Sequence, residues 1–175
     1  MLRRSFLMTG LLTLLAACAR GAQPRAGADG RPLATIYRIN PDDVGDIQFR
    51  VLDNVNALRR AAGAPELRLN AALTAAAATQ SRDMSVQNRP WHFGSDGSSP
   101  IDRAARAGYS GRVLGENISE TYESELETVA AWMERADTRE VITDPAARDL
   151  GIAYFQEPNG KIWWTMVTGN GIGAE

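Results

Sequence analysis

The stretch that decides the fold class is "LGIAYFQEPNGKIWWTMVTG", residues 150–169. Two runs rich in β-branched and aromatic residues flank the turn-forming tetrapeptide "EPNG". Runs of this composition around a turn predict a β-hairpin in which Gly160 adopts a positive φ. Because successive strand residues face opposite sides, we expect one of Trp163 and Trp164 in the core and the other exposed as a contact surface.

Two helices are predicted upstream of this hairpin. Residues 41–63 begin with aspartates, carry apolar side chains at steps of three and four, and end in Gly63, a pattern typical of an amphipathic helix. Its apolar face comprises Ile47, Val51, Val55, Leu58 and Ala62. An alanine-rich helix follows from the N-cap residue Asn70 to about Val86.

Two further helices precede the hairpin. "SPID" at 99–102 has the form of a capping box with proline at the first helical position, and Gly108 ends this helix. A fourth helix is predicted from about Glu123 to Arg135. Its expected buried side chains are Leu126, Val129, Ala130 and Met133, with Trp132 beside them. Since helices come first and the clearest strands last, the sequence predicts an α+β fold.

The amino-terminal segment "MLRRSFLMTGLLTLLAAC" has the features of an export signal. Two arginines precede an apolar run from Phe6 to Ala17, and a helix of that length, about 18 Å, is too short to span a bilayer core of about 30 Å. We therefore predict a signal peptide over residues 1–17. "RRSFL" resembles a twin-arginine signal, and Sec-dependent export stays open because Leu2 stands where Ser or Thr is usual.

The apolar run ends in "LAAC", which resembles the lipobox of bacterial lipoproteins. Cys18 is the only cysteine of the chain, and we predict that it is the lipidated first residue of the mature protein and its membrane anchor. An ordinary secretory signal with an incidental cysteine is the alternative. Residues 18–40, rich in Ala, Gly, Arg and Pro, are predicted to form a flexible tether, and residues 41–173 the folded domain.

The charge balance argues against a nucleic-acid partner. The whole chain has a formal net charge of −2. Without Arg3 and Arg4, which lie in the predicted signal peptide, 17 basic and 21 acidic residues give −4. Non-specific nucleic-acid binding requires a basic face, which this composition does not provide.

"RPWHFG" at 89–94 contains His92, the only histidine, and Glu116 follows 24 residues later in a "GEN" triplet. The two side chains could form a catalytic pair, with a neutral imidazole as general base. Alternatively, a buried hydrogen bond between them ties the loop to the Glu116 strand. No G-x-S-x-G, H-E-x-x-H or cysteine nucleophile accompanies them. In the triplet, we expect Gly115 to turn the backbone with a positive φ and Asn117 to bond backbone atoms.

The order of these motifs resembles the CAP superfamily of cysteine-rich secretory proteins, antigen 5 and pathogenesis-related proteins. The resemblance runs over about residues 47–171. It rests on the helix ending in Met84, on His92 in its polar loop, on "GENI" and "AAWM", and on "RDLGIAYF" with "WWTMVTG". The resemblance implies a three-layer α-β-α sandwich. It also implies an open cavity lined by two histidines and two acidic residues, which binds a divalent metal in some members.

The resemblance assigns candidate cavity residues one by one. His92 matches the first family histidine and Glu116 the glutamate of "GEN", but Thr138 occupies the position of the second histidine. Glu134 and Glu125 are both candidates for the second acidic residue, and neither is preferred. Because a tight zinc site needs more than the single imidazole of this chain, we expect no metal and no other cofactor.

Together these observations lead to a functional hypothesis. The chain is expected to be a membrane-anchored, extracytoplasmic lipoprotein, periplasmic or surface-facing, with its cavity at His92, Glu116 and Thr138. It would act as a binding or scaffold module for a small or lipophilic ligand, a cell-envelope polymer or a protein. The alternative is a hydrolase of an envelope substrate that uses His92 and Glu116.

Overall fold

A computed structural model of the chain describes residues 36–171. Within this range it contains five α-helices and four β-strands, preceded by one 3-10 turn at Pro41–Asp43. In chain order these are α1 Val44–Ala61, β1 Arg68–Leu69, α2 Ala71–Gln87, α3 Pro100–Arg106, β2 Arg112–Ser119, α4 Glu125–Glu134, α5 Ala136–Thr143, β3 Asp149–Gln156 and β4 Ile162–Asn170. The predicted signal peptide and the lipidation site Cys18 lie outside the described residues.

The four strands form one sheet in the order β1-β3-β4-β2. The central strand β4 pairs antiparallel with β3 along the predicted hairpin and with β2 on its other side. The two-residue strand β1 pairs parallel with β3 only at Asp149 and Leu150. Most of the outer side of β3 therefore has no strand beside it among the described residues.

Helices cover both faces of this sheet, so the fold is a three-layer α-β-α sandwich. Helices α1, α4 and α5 share one core with the sheet, and α2 and α3 share the other. Trp164 packs in the first core, and Trp163 lies on the opposite face with its indole N–H donating to Glu157 at 2.7 Å. Both tryptophans are fully buried, so the prediction that one is exposed is wrong. The reason is that each face of β4 has its own helical layer.

Local signals in the sequence place most helix ends correctly. The side chain of Asn70 accepts hydrogen bonds from the backbone at the start of α2, and Ser99 forms the predicted capping box of α3. Gly160 has the predicted positive φ, and Gly63 and Gly108, which were predicted to end helices, have positive φ as well. No helix among residues 36–171 combines the length and apolar character that crossing a membrane requires.

The buried face of α4 differs from the predicted one. Leu126 is 42% exposed and Ala130 is also exposed. The buried positions are Glu125, Thr128, Val129 and Trp132. The helix is rotated because the buried carboxylate of Glu125 accepts from Arg50 at 2.6 Å and the Trp132 indole donates to the Ile118 carbonyl at 3.1 Å. The backbone then becomes extended at Arg135, and α5, which was not predicted, follows.

Arg59 is a fully buried cation at the end of α1. Its guanidinium donates to the carbonyls of Pro65, Ile142, Asp144 and Ala147 at 2.6–3.1 Å. Burial lowers the pKa of this guanidinium below its ordinary value. Four carbonyl acceptors replace the water that the cation has lost, and three of them join α1 to the end of α5 and the segment that follows it.

Candidate functional site

Glu116 is the buried centre of the candidate site. It lies within β2, opposite Val167 of β4, and its side chain is only 2% exposed. Oε2 accepts from Arg103 Nη2 at 2.7 Å, and Oε1 accepts from His92 Nδ1 at 2.9 Å. Both carboxylate oxygens are therefore occupied, which compensates for the loss of water around the buried charge.

The sequence analysis did not identify Arg103, which is as buried as Glu116. Besides the bond to Glu116, its guanidinium donates to the carbonyls of Ser98 at 2.9 Å and His92 at 3.1 Å. It thus fixes both the carboxylate and the loop that carries His92. No local signal separates Arg103 from Arg106, one turn later, whose side chain is 61% exposed.

His92 lies in the loop between α2 and α3, and its side chain is 49% exposed. The predicted hydrogen bond to Glu116 is present, although it is not fully buried. The loop is held on both sides of the histidine, because Arg103 binds the His92 carbonyl and Gln87 donates to the Phe93 carbonyl at 2.9 Å. One ring nitrogen is thus oriented by Glu116, while the exposed part of the ring faces solvent and the neighbouring cavity.

The "GEN" triplet is not a turn, and the expectation of a positive φ at Gly115 is wrong. The triplet lies inside β2, next to a register shift after Val113. A Cβ atom on Gly115 would lie 2.7 Å from Cγ2 of Val141, so the glycine permits the close approach of α5. Asn117 does bond backbone, since its Nδ2 donates to the Thr138 carbonyl at 2.8 Å.

Thr138 lies in the first turn of α5 and lines the same cavity as His92 and Glu116. Its hydroxyl donates to the carbonyl of Trp132 at 2.5 Å and so satisfies the end of α4. The structure thus brings the three candidate residues together. The hydroxyl of Thr138 is engaged in joining the two helices.

The cavity runs along the outer edge of β2 and has a volume of about 650 Å³. Loop residues Pro90 and His92 form one wall, and α4 and α5 form the other. Its polar lining includes Glu116, Asn117, Ser119, Glu134, Asp137 and Thr138. The Oδ1 atom of Asn117 is buried and has no hydrogen-bond partner among the described residues. An unpaired buried acceptor in a cavity wall is a ready position for a ligand donor.

A second and larger groove, about 880 Å³, lies at the opposite edge of the sheet. Residues Ile152–Gln156 of β3 form its floor, and α1 and α2 form its walls. None of its lining residues is Asp, Glu, Lys, Arg or His. The two edges of the sheet thus carry a polar cavity and an uncharged groove.

Comparisons with known proteins identify the family of this fold. The model of the cysteine-rich secretory protein family, named CAP, matches residues 52–168, well over half of the chain. The match includes His92, Glu116 and Thr138. The chain belongs to the CAP family.

Individual CAP proteins share limited sequence identity with this chain. YkwD, described as an uncharacterized protein of Bacillus subtilis (strain 168), is 30% identical over 129 residues. The match covers 74% of this chain and 49% of YkwD, so the chain spans about half the length of that relative.

Solved structures show the same fold. An extracellular protein with an SCP domain from Bacillus anthracis str. Ames has a TM-score of 0.66 at 20% identity, covering 76% of this chain and 44% of that one. An outer surface protein from Borrelia burgdorferi has a TM-score of 0.65 at 14% identity, covering 79% of this chain and 100% of that one. At these identities, the likeness shows the fold alone.

The CAP resemblance implies a metal in some members, but the cavity residues of this chain do not fit one. Thr138 contributes no imidazole, and both oxygens of Glu116 are bound by Arg103 and His92. Among residues 36–171, no three or more His, Cys, Asp or Glu side chains lie together as a metal site.

Only one of the two candidates for the second acidic CAP residue lines the cavity. Glu134 lines the cavity, together with Asp137. Glu125 lies outside it, buried against Arg50 at 2.6 Å. Arg135 also lines the cavity and its hydrogen bond lowers the pKa of the Asp137 carboxyl, so this wall carries the Arg135–Asp137 ion pair beside Glu134.

Proposed function

We propose that this CAP-domain chain is an extracytoplasmic lipoprotein, anchored to a membrane through Cys18, that acts as a binding or scaffold module. The export-signal pattern before Cys18 and the descriptions of two structural relatives as extracellular and outer surface proteins support the location. The cavity at the edge of β2 is the proposed ligand site.

One observation favours binding over a nucleophilic role for Glu116. Both oxygens of the Glu116 carboxylate are already occupied, by Arg103 at 2.7 Å and by His92 at 2.9 Å. These two bonds hold the carboxylate in place and oppose its turning toward a substrate as a nucleophile, whereas a general-base role would fall to the second ring nitrogen of His92. The buried Arg103–Glu116 pair instead fixes the shape and polarity of the cavity wall before a ligand arrives.

The lining of the cavity favours a ligand with hydrogen-bond donors. Asn117 contributes a buried Oδ1 atom without a partner among residues 36–171, and Glu134 adds a carboxylate at the opposite wall. Hydroxyl and amide N–H groups pair with such acceptors. We therefore propose a segment of a cell-envelope polymer, which carries both groups, as the ligand of this cavity.

Filling the cavity tests this proposal. Thr138→Trp should weaken binding of solubilised envelope glycan peptide about tenfold or more in calorimetry, because the indole occupies the ligand volume. Thr79→Trp is the matched control, since Thr79 is exposed on α2 and lies outside the cavity. Equal binding by wild type and Thr138→Trp, with both variants folded by circular dichroism, would place the ligand elsewhere.

The same material tests the hydrolase alternative. The binding proposal expects no soluble fragments to be released from envelope glycan by the wild type. If fragments appear, and His92→Ala abolishes their release without lowering the unfolding temperature, then His92 and Glu116 act in catalysis and the proposal of a binding module is wrong.

The membrane anchor is tested independently of the cavity. We expect Cys18→Ser to move the protein from the membrane fraction to the soluble fraction, because a lipidated cysteine supplies the anchoring free energy through its acyl chains. Retention of Cys18→Ser in the membrane fraction would contradict the anchor while leaving the proposed cavity function intact.

The uncharged groove at the edge of β3 favours a second ligand class. Its wall on α2 is formed by small residues, including Ala75 and Ala78, and its floor includes Ile152 and Phe155. A lipophilic ligand fits such a lining by burial of apolar surface. Ala75→Trp should reduce binding of a fluorescent fatty acid, whereas Thr138→Trp should not; the reverse result would assign the lipophilic ligand to the other cavity.

A further inference from the structure

The carboxyl ends of α2 and β3 lie at the same end of the domain. At the start of both elements, the backbone of Leu73 lies directly against Gly151. At their ends, the hydroxyl of Ser85 donates to the Glu157 carboxylate at 2.8 Å. Helix α2 therefore runs alongside β3 in the same direction, and both end beside the turn of the β3–β4 hairpin.

The chain that leads from Cys18 enters the described domain at this same end. Arg38 donates to the carbonyl of Glu157 at 3.1 Å and also to that of Pro158. The side-chain amide of Gln156 donates to the Tyr37 carbonyl at 2.8 Å. Residues 36–38 thus lie against the hairpin turn.

Exposed apolar side chains lie on the segment against the hairpin turn, at the end of α2 and on the loop that follows α2. We call them the hairpin-end patch. Its members, with their exposed fractions, are Ile36 (47%), Tyr37 (41%), Val86 (73%), Trp91 (41%) and Phe93 (44%). They are half of the ten large apolar side chains that are exposed among the described residues. Since single exposed apolar side chains are common but a cluster is not, the patch indicates a contact surface.

The loop after α2 brings two aromatic members of the patch together. The backbone N–H of Asn88 donates to the Ser85 carbonyl at 3.1 Å, and Gln87 binds the Phe93 carbonyl at 2.9 Å. The loop is therefore folded against the last turns of α2. The rings of Trp91 and Phe93 are 5.5 Å apart and form one exposed aromatic surface.

Three arginines lie around the patch. Arg82 lies 5.5 Å from the ring centre of Phe155 and Arg89 4.4 Å from that of Trp91. Neither of these arginines, nor Arg38, forms an ion pair within residues 36–171.

The acidic groups nearby are already engaged by other side chains. They are Glu157, bound by Ser85, Asn159 and Trp163; Asp83, bound by Ser95 and Gln87; and Glu120, paired with Lys161. Of these groups, only Glu120 is paired with a cation; Glu157 and Asp83 accept from uncharged groups and keep their negative charge. The three arginines without an ion pair among the described residues therefore exceed these two carboxylates by one positive charge.

We infer that the hairpin-end patch rests on the surface of an anionic lipid bilayer. Tryptophan and other aromatic rings are enriched at the membrane–water interface, and arginines beside them attract anionic headgroups. The inference rests on the proposed anchor at Cys18, which lies 18 positions before Ile36. An extended chain of that length reaches at most about 60 Å, so a lipid anchor at Cys18 permits contact between this end of the domain and the bilayer.

Trp91 provides a specific probe for this contact. The other three of the four tryptophans of the chain, Trp132, Trp163 and Trp164, are at most 4% exposed. Bromine atoms on lipid chains quench only indoles that reach the bilayer. The full lipidated chain is reconstituted in vesicles of phosphatidylglycerol and brominated phosphatidylcholine, and the emission is compared with that in unbrominated vesicles.

We expect the brominated lipid to quench the wild type and Trp91→Phe to remove that quenching. Val86→Glu should reduce the quenching at least about twofold, because it places a negative charge in the patch. Ile101→Glu is the matched control: it adds the same charge at an exposed apolar residue of α3 outside the patch and should leave the quenching unchanged. Replacing phosphatidylglycerol by phosphatidylcholine, or raising the salt, should weaken the quenching.

Vesicle flotation separates failure of the contact from failure of the anchor. Protein that floats with the vesicles but shows no quenching of Trp91 overturns the inference and leaves the anchor standing. If Cys18→Ser floats as well as the wild type, the anchor is wrong, and quenching in the floated protein still decides the contact. Wild type that does not float overturns both.

Discussion

On β2, the buried carboxylate of Glu116 is held by a buried arginine and by a histidine that is half exposed beside a cavity. On β3, the buried carboxylate of Asp149 accepts from the buried Tyr109 hydroxyl at 2.8 Å and from the exposed Arg68 at 2.8 Å. Both groups are 1–2% exposed, so burial alone does not distinguish them. The difference lies in their partners. Arg68, the cation bound to Asp149, is exposed to water. Arg103, the cation bound to Glu116, is buried, and His92, which also binds Glu116, lies beside the cavity.

Removing the two arginines should give the largest contrast between these sites. Arg103→Ala leaves Glu116 as a buried charge with no cation and should lower the free energy of unfolding by about 3–5 kcal/mol. Arg68→Ala, in which water and Tyr109 still solvate Asp149, should lower it by less than about 1 kcal/mol. Urea unfolding of both variants measures the difference. Equal losses would show that Arg103 is no more important to its carboxylate than a surface partner.

The glycines of the two strands should also differ. In Gly151→Ala the new Cβ meets the backbone of Leu73 in α2, which cannot move away alone, so we expect a loss of about 3 kcal/mol. In Gly115→Ala it meets only the side chain of Val141, so about 1 kcal/mol is expected. Thermal or urea unfolding checks the order. Val141→Ala should restore part of the stability of Gly115→Ala, and its failure to do so would locate the strain elsewhere.

A histidine introduced at position 138 tests whether a second imidazole creates a zinc site in the cavity at β2. Thr138→His supplies a second imidazole on the wall that faces His92, and neutral imidazole is a strong zinc ligand. Calorimetric titration with zinc chloride should show affinity at least about tenfold above the wild type, or about 1.4 kcal/mol. The double variant His92→Ala/Thr138→His should return to the wild-type level. Unchanged affinity in Thr138→His would mean that position 138 does not face His92 at ligand distance.

The pH dependence of stability should reveal the site on β3. Burial, and then the bond to Asp149, raise the pKa of the Tyr109 hydroxyl above its ordinary value. The unfolded chain therefore loses this proton first, and the stability contributed by Tyr109 is lost as the pH rises above about 10. At pH 7, Tyr109→Phe should cost about 1 kcal/mol relative to wild type.

The difference in free energy of unfolding between wild type and Tyr109→Phe should become smaller towards pH 11, as measured by urea unfolding. Tyr37→Phe, at an exposed position, controls for the loss of a hydroxyl. If this difference in stability stays constant with pH, the Tyr109 hydroxyl has the same pKa in the folded and unfolded states.

Features set by local sequence were predictable, and those set by packing between layers were not. Asn70, Ser99 and Gly160 act through their own turns, so their roles follow from a few neighbouring residues. The burial of both Trp163 and Trp164 requires two helical layers, which no pattern within the strand reveals. The rotation of α4 depends in the same way on Arg50, which is distant in sequence.

The candidate site shows the same division. His92 and Glu116 were found because the motif order resembles a family, and spacing alone would not have paired them. Arg103 is one of 19 basic residues, and only the folded chain shows that it lies against Glu116. The role of Gly115 was mistaken for the same reason, since Val141 comes from a helix that the sequence did not predict.

The four carbonyls around Arg59 resemble the ligands around a structural metal ion, because they surround a buried positive charge and hold separate segments together. They bind the end of α1 to the chain on either side of Asp144 with a charge that is covalently part of the protein. The single cysteine of the chain is Cys18, so no disulfide can form within one molecule. This part of the fold is therefore cross-linked by an internal ligand that neither a thiol reductant nor a chelator can remove.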